Sequence, residues 1–203
     1  MKKLVVLALA VIFGAVSSCS DDETIEVQVE TLLSQQEMDD LKFSREEEKL
    51  ARDVYLFSYD TYGETIFNSI AQSEQQHMDQ VLVLLNTYQL IDPASTERGV
   101  FTNQILQDLY NDLTVLSDIS LVEALKVGAI IEDLDINDLD VLESNTTKTD
   151  LLNVYDKLEC GSRNHLRSYI GQLVINGVSY EPQYISLEKF NEIINSANEQ
   201  CGR

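Results

Sequence analysis

Residue types that interrupt helices are scarce in this sequence. Its 203 residues include two prolines, eight glycines and no tryptophan. Pro93 and Pro182 both fall in stretches without helical periodicity, so the long segments around them can run as uninterrupted helices. Apart from a short alternation at residues 25–29, which we interpret as part of an extended tether, no stretch is rich in strand signals. The sequence therefore predicts an all-α fold.

Positive charge is scarce as well. The chain has 14 lysines and arginines against 35 aspartates and glutamates, which gives a net charge of −21. A chain this acidic is repelled by nucleic acid and by anionic lipid headgroups. We therefore predict no nucleic-acid partner, and we expect membrane contact through a covalent lipid only.

The N-terminal residues carry the signals of export. Lys2 and Lys3 precede an apolar run, Leu4–Ala15, that is too short to span a bilayer. The tetrapeptide Val16-Ser17-Ser18-Cys19 resembles a bacterial lipobox, in which the cysteine becomes the lipid-modified first residue of the mature protein. We predict a lipoprotein signal peptide at residues 1–18, an acidic tether at 19–33 and the folded domain at 34–203.

This leader predicts a cell-envelope lipoprotein in the outer membrane, either periplasmic or surface-exposed; a plain signal peptide is the alternative. The acidic run after Cys19, residues 20–23, resembles the surface-export tag of some Gram-negative lipoproteins, or it is a solvated tether. With Cys19 modified, Cys160 and Cys201 are a candidate disulfide in an oxidising compartment. The alternative is one buried thiol and one free thiol near the C-terminus.

Apolar spacing predicts four long helices and two short ones. Ser34 to Glu37 forms a capping-box pattern, and Gly63 is a stop signal for the first helix. The long link between the second and third long helices is typical of the ferritin-like four-helix bundle, where it crosses the bundle. The predicted helices run from the capping box to about Tyr62, then Thr65–Tyr88, Thr102–Leu116, Ser120–Leu142 and Thr149–Ile175, with a short C-terminal helix capped by Ser186.

Charged residues interrupt the apolar stripe of each long helix near its middle. Both histidines of the chain are among them, and one lies a single turn after a glutamate. Burying several carboxylates without partners costs several kcal/mol each, so their convergence calls for a cation. The alternative is salt bridging, from Glu48 to Arg52 and from Glu132 or Asp135 to Arg163 or Arg167. The predicted metal ligands are Glu48, Glu74, His77, Glu132 and His165, with Asp135 as a sixth candidate.

Four stretches of the sequence resemble motifs of known helical proteins. The first-helix stretch around Glu48 and the Glu-x-x-His pair at residues 74–77 are similar to the signatures of rubrerythrins and other ferritin-like proteins. More closely, residues 46–55, 128–136 and 161–167 resemble the ferritin-like family named domain of unknown function 2202. By analogy with di-iron carboxylate proteins, the resemblance implies that Glu48, Glu74, His77, Glu132 and His165 are metal ligands.

One position departs from the di-iron pattern. Ser162 stands where a second Glu-x-x-His would carry its glutamate, and Asp135, one turn from Glu132, is the candidate for the missing carboxylate. Three carboxylates and two neutral histidines then predict unequal metal positions, with tighter binding near Glu74 and His77 than near His165.

Two functions from different classes follow. The first is a redox protein that holds iron or manganese, bridged by Glu48 and Glu132, and that acts on oxygen or peroxide or handles iron; mixed oxygen and nitrogen ligands suit these metals. The second is a non-enzymatic binding module with a vestigial metal site. Zinc is a further option for the metal. No cysteine motif for a rubredoxin centre is present, so the electron donor is unidentified, and the sequence allows a homo-oligomer.

Overall fold

The computed structural model describes residues 32–201, and within that range the chain is helical, with no strand. The predicted all-α class is confirmed. The helices are α1 (Gln35–Tyr62), α2 (Thr65–Thr87), α3 (Gln104–Ser117), α4 (Leu121–Ser144), α5 (Thr149–Ile175) and α6 (Leu187–Asn195).

Local signals account for the helix ends. Ser34 Oγ accepts a hydrogen bond from the Glu37 N–H, and the Glu37 carboxylate accepts one from the Ser34 N–H, which completes the capping box of α1. At the other end Gly63 has φ 71°, a left-handed conformation that glycine adopts without strain, and its N–H donates to the Tyr59 carbonyl. Side chains of Asn103, Ser120 and Ser186 cap α3, α4 and α6. Each observed end lies within about two residues of the predicted one.

The four long helices pack in pairs around two apolar clusters. Helix α1 packs against α2 and α4, and α5 packs against α4, α2 and the short α6. One cluster contains Tyr55, Phe67 and Tyr169, and the other contains Leu41, Val81 and Leu158. On α1, α2 and α5 a layer of buried polar residues lies between the two clusters.

The long connection between α2 and α3 is fastened to α1 by buried charges. Lys49, fully buried, forms an ion pair with Asp53 at 2.5 Å and donates to the Glu97 carbonyl at 2.9 Å. Glu46 accepts hydrogen bonds from the backbone N–H groups of Thr102 and Asn103 at the start of α3. These contacts hold the connection between α2 and α3 against the part of α1 that carries Glu46 and Lys49.

The segment between α5 and α6 is held by a buried carboxylate of α4, Asp133. Asp133 accepts hydrogen bonds from the Tyr180 hydroxyl at 2.8 Å and the Ile185 N–H at 2.9 Å. Cys160 and Cys201 are joined by a disulfide, with their Cα atoms 5.6 Å apart.

The predicted signal peptide, the lipidation site Cys19 and all but the last two residues of the predicted tether lie outside the described residues. Among residues 32–201, no helix is both long and apolar enough to cross a membrane.

Candidate metal centre

The four long helices bring five of the predicted ligands together in the polar layer. Helix α1 supplies Glu48, α2 supplies Glu74 and His77, α4 supplies Glu132 and α5 supplies His165. All five side chains are buried, with no residue more than 8% exposed. Because positions 74 and 77 are one helical turn apart, their side chains point to the same side of α2.

The five residues form two groups of three that share Glu74. One group is Glu48, Glu74 and His77, and the other is Glu74, Glu132 and His165; within each, one ligand atom per residue lies within 4.8 Å of the others. Glu74 Oε2 is 2.7 Å from His77 Nδ1, and Glu74 Oε1 is 2.7 Å from His165 Nδ1. Glu48 Oε2 is 3.1 Å from His77 Nδ1, and Glu132 Oε2 is 3.4 Å from His165 Nδ1. These carboxylate and histidine groups could hold a metal ion.

Glu74 is the residue that the two groups share. Glu48 and Glu132, the expected bridging ligands, each lie beside one imidazole. Glu74 takes the central place because His77 lies one turn away on the same helix and α2 packs against α5, which carries His165. The expected preference of a metal for the Glu74 and His77 side stays a prediction.

The ligand atoms have few hydrogen-bond partners outside the centre within the described residues. Glu74 Oε1 and His165 Nδ1 are both buried and lie 2.7 Å apart in the arrangement of an ion pair. Glu48 Oε1 is buried without a hydrogen-bond partner among these residues. Buried polar atoms are almost always hydrogen-bonded, and buried carboxylates that converge with too few donors are an arrangement that a cation satisfies. The residues therefore fit a metal ion.

The arginines that offered a salt-bridge alternative are engaged elsewhere. Arg52 forms an ion pair with Asp53 at 2.7 Å and donates to Gln75. Arg163 pairs with Glu159 and Glu199, and Arg167 also pairs with Glu199. None of these contacts involves a predicted ligand, so the arginines do not neutralise the buried carboxylates by direct contact.

The centre shifts the pKa values of its own members. Burial lowers the pKa of His165, but Glu74 and Glu132 outweigh burial and raise it to about 10. His77 follows the same pattern with Glu48 and Glu74, and its pKa is raised well above the usual range. Burial raises the pKa of Glu48 to about 7 against the opposing effect of His77. Burial acts to raise the pKa of Glu74, but the imidazoles of His165 and His77 outweigh burial and hold that pKa well below the usual range. Protons on the imidazoles thus take the charge-compensating role that a cation would have.

Asp135 is near the centre but belongs to neither three-residue group. Its side chain, 6% exposed, accepts a hydrogen bond from Ser162 Oγ. Burial, followed by the charges of Glu48 and Glu132, raises its pKa well above the usual range. Ser162, which stands where a second Glu-x-x-His would carry its glutamate, therefore binds Asp135, the candidate for the missing carboxylate.

Three further residues lie beside the centre and were not predicted as ligands. The Tyr55 hydroxyl donates to Glu132 Oε1 at 2.5 Å, and Ser73 Oγ lies 3.0 Å from His165 Nε2. Glu47 is buried beside Glu48, and burial, then Asp135, raises its pKa well above the usual range. Of these three residues, only Tyr55 was detectable in the sequence, because it shares the apolar stripe of Glu48.

Comparison with known families places this chain. A family model described as "Uncharacterized protein domain (DUF2202)" matches residues 37–197. The chain belongs to this family. The matched DUF2202 region includes parts of all six helices and every residue of the candidate centre.

The chain is similar to a protein of Methanocaldococcus jannaschii over most of its length. "Uncharacterized protein MJ0754" of Methanocaldococcus jannaschii is 48% identical over 169 residues, which cover 83% of this chain and 91% of the relative. A crystal structure of hypothetical protein MJ0754 from Methanococcus jannaschii superposes with a TM-score of 0.81 at 48% identity, covering 82% of this chain and 96% of that one. These comparisons establish the family and the helical fold, and they assign no activity.

Proposed function

We propose that this protein is a ferritin-like four-helix-bundle protein that binds two iron or manganese ions in its polar layer. Glu48 and His77 would hold one ion, Glu132 and His165 would hold the other, and Glu74 would be shared. The observation that carries the proposal is the place of Glu74, whose two oxygens lie 2.7 Å from two different imidazole nitrogens.

The chemistry of the donors favours iron and manganese. Each group offers two carboxylates and one imidazole, and such mixed oxygen and nitrogen sets suit these metals. Three carboxylates supply a charge of −3 toward two divalent ions, so little charge remains to be compensated. When bound, iron or manganese would supply redox chemistry toward oxygen or peroxide.

The protein's own residues control the surroundings of the ions. The two apolar clusters lie on either side of the polar layer, which excludes bulk water from the carboxylates and strengthens their attraction to a cation. The hydrogen bond from Tyr55 orients Glu132, as an outer-shell partner orients a ligand.

Elemental analysis of residues 20–203, purified from cells supplied with iron or with manganese, tests the proposal. We expect about two ions per chain in the wild type, a loss of both in Glu74→Gln and a loss of one in Glu48→Gln. Asp79→Asn, an exposed acid on the same helix as Glu74, is the matched control and should keep both ions. A wild type without stoichiometric metal under either condition would overturn the proposal in favour of a binding module, and stoichiometric zinc would overturn the choice of metal.

A further inference from the structure

A polar cavity of about 380 Å³ lies between α2 and α5. Its lining positions recur every three or four residues, so each helix contributes a single face. On α2 they are positions 73, 76, 77 and 80, and on α5 they are positions 157, 161, 164 and 165. Among the described residues that line the cavity there is none of the three carboxylates proposed as metal ligands. The cavity is therefore a separate site that shares only the two histidine rings with the centre.

The cavity meets His77 at the Nε2 edge of the ring. His77 Nδ1 lies 2.7 Å from Glu74 and 3.1 Å from Glu48, whereas Nε2 lies beside Gly161, where an added Cβ would be 2.5 Å from it. Within residues 32–201 this Nε2 has no hydrogen-bond partner. A metal on Nδ1 leaves the ring hydrogen on Nε2, and a protonated ring carries a hydrogen there as well. In both states Nε2–H is a donor that faces the cavity.

Ser73 offers a second donor. His165 Nδ1 lies 2.7 Å from Glu74, so its Nε2 carries a hydrogen by the same reasoning and donates to Ser73 Oγ at 3.0 Å. Because Ser73 Oγ accepts this bond, its own hydrogen is available to a ligand in the cavity. The amide groups of Gln76 and Gln80 lie on the same wall.

Lys157 supplies positive charge to the cavity. It lies on α5, one turn before Gly161, and it is exposed. Its side chain forms no ion pair or hydrogen bond with another residue of the described range. The ammonium group is thus available to a ligand, in a chain where acids outnumber bases by 35 to 14.

The acid among the described lining residues, Glu199, is already occupied. One of its oxygens lies 2.7 Å from Arg163, and the other lies 2.7 Å from Arg167. The hydrogen bonds from Arg163 and Arg167 lower the pKa of Glu199 to about 2. Because both oxygens are engaged by guanidinium groups, Glu199 neither neutralises Lys157 nor offers a free ligand to a cation.

We propose that this cavity binds a small oxyanion of the phosphate or carboxylate type through Lys157, the Nε2–H of His77 and the Ser73 hydroxyl. Anionic oxygens only accept hydrogen bonds, and bonds assisted by charge are stronger than those between neutral groups. A water molecule takes about 30 Å³ of liquid, so the cavity has room for an anion of several non-hydrogen atoms. The site does not depend on the proposed metal function, since the anion meets the imidazoles on the edges that face away from the centre.

Calorimetric titration of the purified protein with inorganic phosphate, and separately with acetate, tests the site at pH 7.5 and constant ionic strength. We expect saturable binding of at least one of these two anions. Because the chain has only two histidines, the ring Cε1–H signals are easily followed by NMR after the protein has been treated with a chelator and dialysed. The His77 signal should shift along the same saturation curve. Absence of saturable binding for both anions would overturn the proposal.

Two variants and two matched controls locate the bound anion. Lys157→Gln should weaken binding about tenfold, because it removes the positive charge, and Gln80→Glu should abolish binding, because it places a carboxylate in the wall. Lys42→Gln on α1 and Gln72→Glu on α2 make the same charge changes outside the lining and should bind like the wild type. Equal losses in a variant and its control would overturn the site as a non-specific charge effect. Elemental analysis of the same samples separates the two proposals, because saturable anion binding by a protein without metal would support this site and overturn the metal function.

Discussion

At the scale of single residues, Glu74 couples the two halves of the centre. Each of its oxygens lies 2.7 Å from a different imidazole, and it is the only member common to both three-residue groups found in the described part of the chain. Its position explains why two imidazoles on different helices stack with their ring centroids 5.6 Å apart. A change at this one carboxylate should therefore affect both sides, whereas changes at Glu48 or Glu132 should affect one.

Metal binding is predicted to release protons. Because nearby carboxylates raise the pKa of His165 to about 10 and that of His77 well above its usual range, both imidazoles of the metal-free domain are protonated at pH 7.5. Metal ligation requires neutral imidazole, so about two protons should leave as the two ions bind. Calorimetric titration of metal in buffers of different ionisation enthalpy measures that number. Release of no protons would contradict the predicted charge state.

The same shifts predict the pH dependence of stability in the metal-free domain. A histidine whose folded pKa is raised stabilises the fold fully below its unfolded pKa, near 6.5, and that stabilisation is lost as pH rises toward the folded value. For His165 the free energy of unfolding should therefore fall from about pH 6.5 to about 10. Urea unfolding across this range measures it, and His165→Gln should remove the part of the slope due to His165.

Tyr55 is predicted to support Glu132. Loss of its hydrogen bond in Tyr55→Phe should weaken metal binding on the Glu132 and His165 side by about 10- to 100-fold, as for other outer-shell partners. Tyr155→Phe is the matched control, because the Tyr155 hydroxyl is buried and has no hydrogen-bond partner among residues 32–201, so its removal costs no contact there. Metal titration followed by dialysis measures both. Equal affinities in the two variants would show that Tyr55 does not position the ligand.

Residue patterns in the sequence were sufficient to single out the five residues that meet in the centre but not their pairing. Glu48, Glu74 and His165 stood out because they occupy apolar stripes, a signal that each helix carries by itself. Which carboxylate is shared depends on how α2 packs against its neighbours, which no single-helix pattern contains. The hydrogen bond between Asp135 and Ser162 was missed for the same reason, since it joins two helices.

At the scale of helices, α5 offers a direct comparison of two glycines. Gly161 lies against His77, where an added Cβ would be 2.5 Å from the ring, whereas a Cβ added at Gly171 would have no atom of the described residues within 4 Å, apart from its own helix backbone and neighbours. Alanine is favoured over glycine in a helix by about 1 kcal/mol. Gly171→Ala should therefore raise the free energy of unfolding by about 0.5–1 kcal/mol.

Gly161→Ala should have the opposite result. The ring of His77 must move to admit the methyl group, and crowding of this kind costs about 1–3 kcal/mol. We expect a lower free energy of unfolding and a loss of metal on the Glu48 and His77 side, measured by urea unfolding and elemental analysis. If Gly161→Ala and Gly171→Ala both raised the free energy of unfolding, the close approach of α2 and α5 at Gly161 would not be required.

Helix ends were predictable because their causes are local, as the capping box at Ser34 and the left-handed Gly63 show. The burial of the charged residues beside Glu48 on α1 was not predictable. Glu46, Glu47, Glu48 and Lys49 are consecutive charged residues, which normally indicate a solvent-exposed face, yet all four are buried. Glu46 and Lys49 are buried because the link between α2 and α3 folds over α1 and binds them, whereas Glu48 is buried beside His77 in the centre.

At the scale of the whole molecule, the charge of the chain bears on its location. Removal of residues 1–18 would take away Lys2 and Lys3 and leave 12 basic against 35 acidic residues, a net charge of −23. Such a domain is repelled by anionic headgroups. The proposed outer-membrane location therefore depends on lipid attached to Cys19, and metal binding by residues 20–203 should be independent of it.

Cys19 is predicted to be lipid-modified, because it ends a short apolar run and a lipobox-like tetrapeptide. Radiolabelled palmitate should enter the wild type and the Cys201→Ala control but not Cys19→Ala. Since the acidic domain has no attraction of its own for the bilayer, Cys19→Ala should also move from the membrane fraction to the soluble fraction. Its metal content should match that of the wild type, because the proposed ligands all lie between residues 48 and 165. Equal labelling of wild type and Cys19→Ala would refute lipid attachment at Cys19 and would not bear on the proposed metal centre.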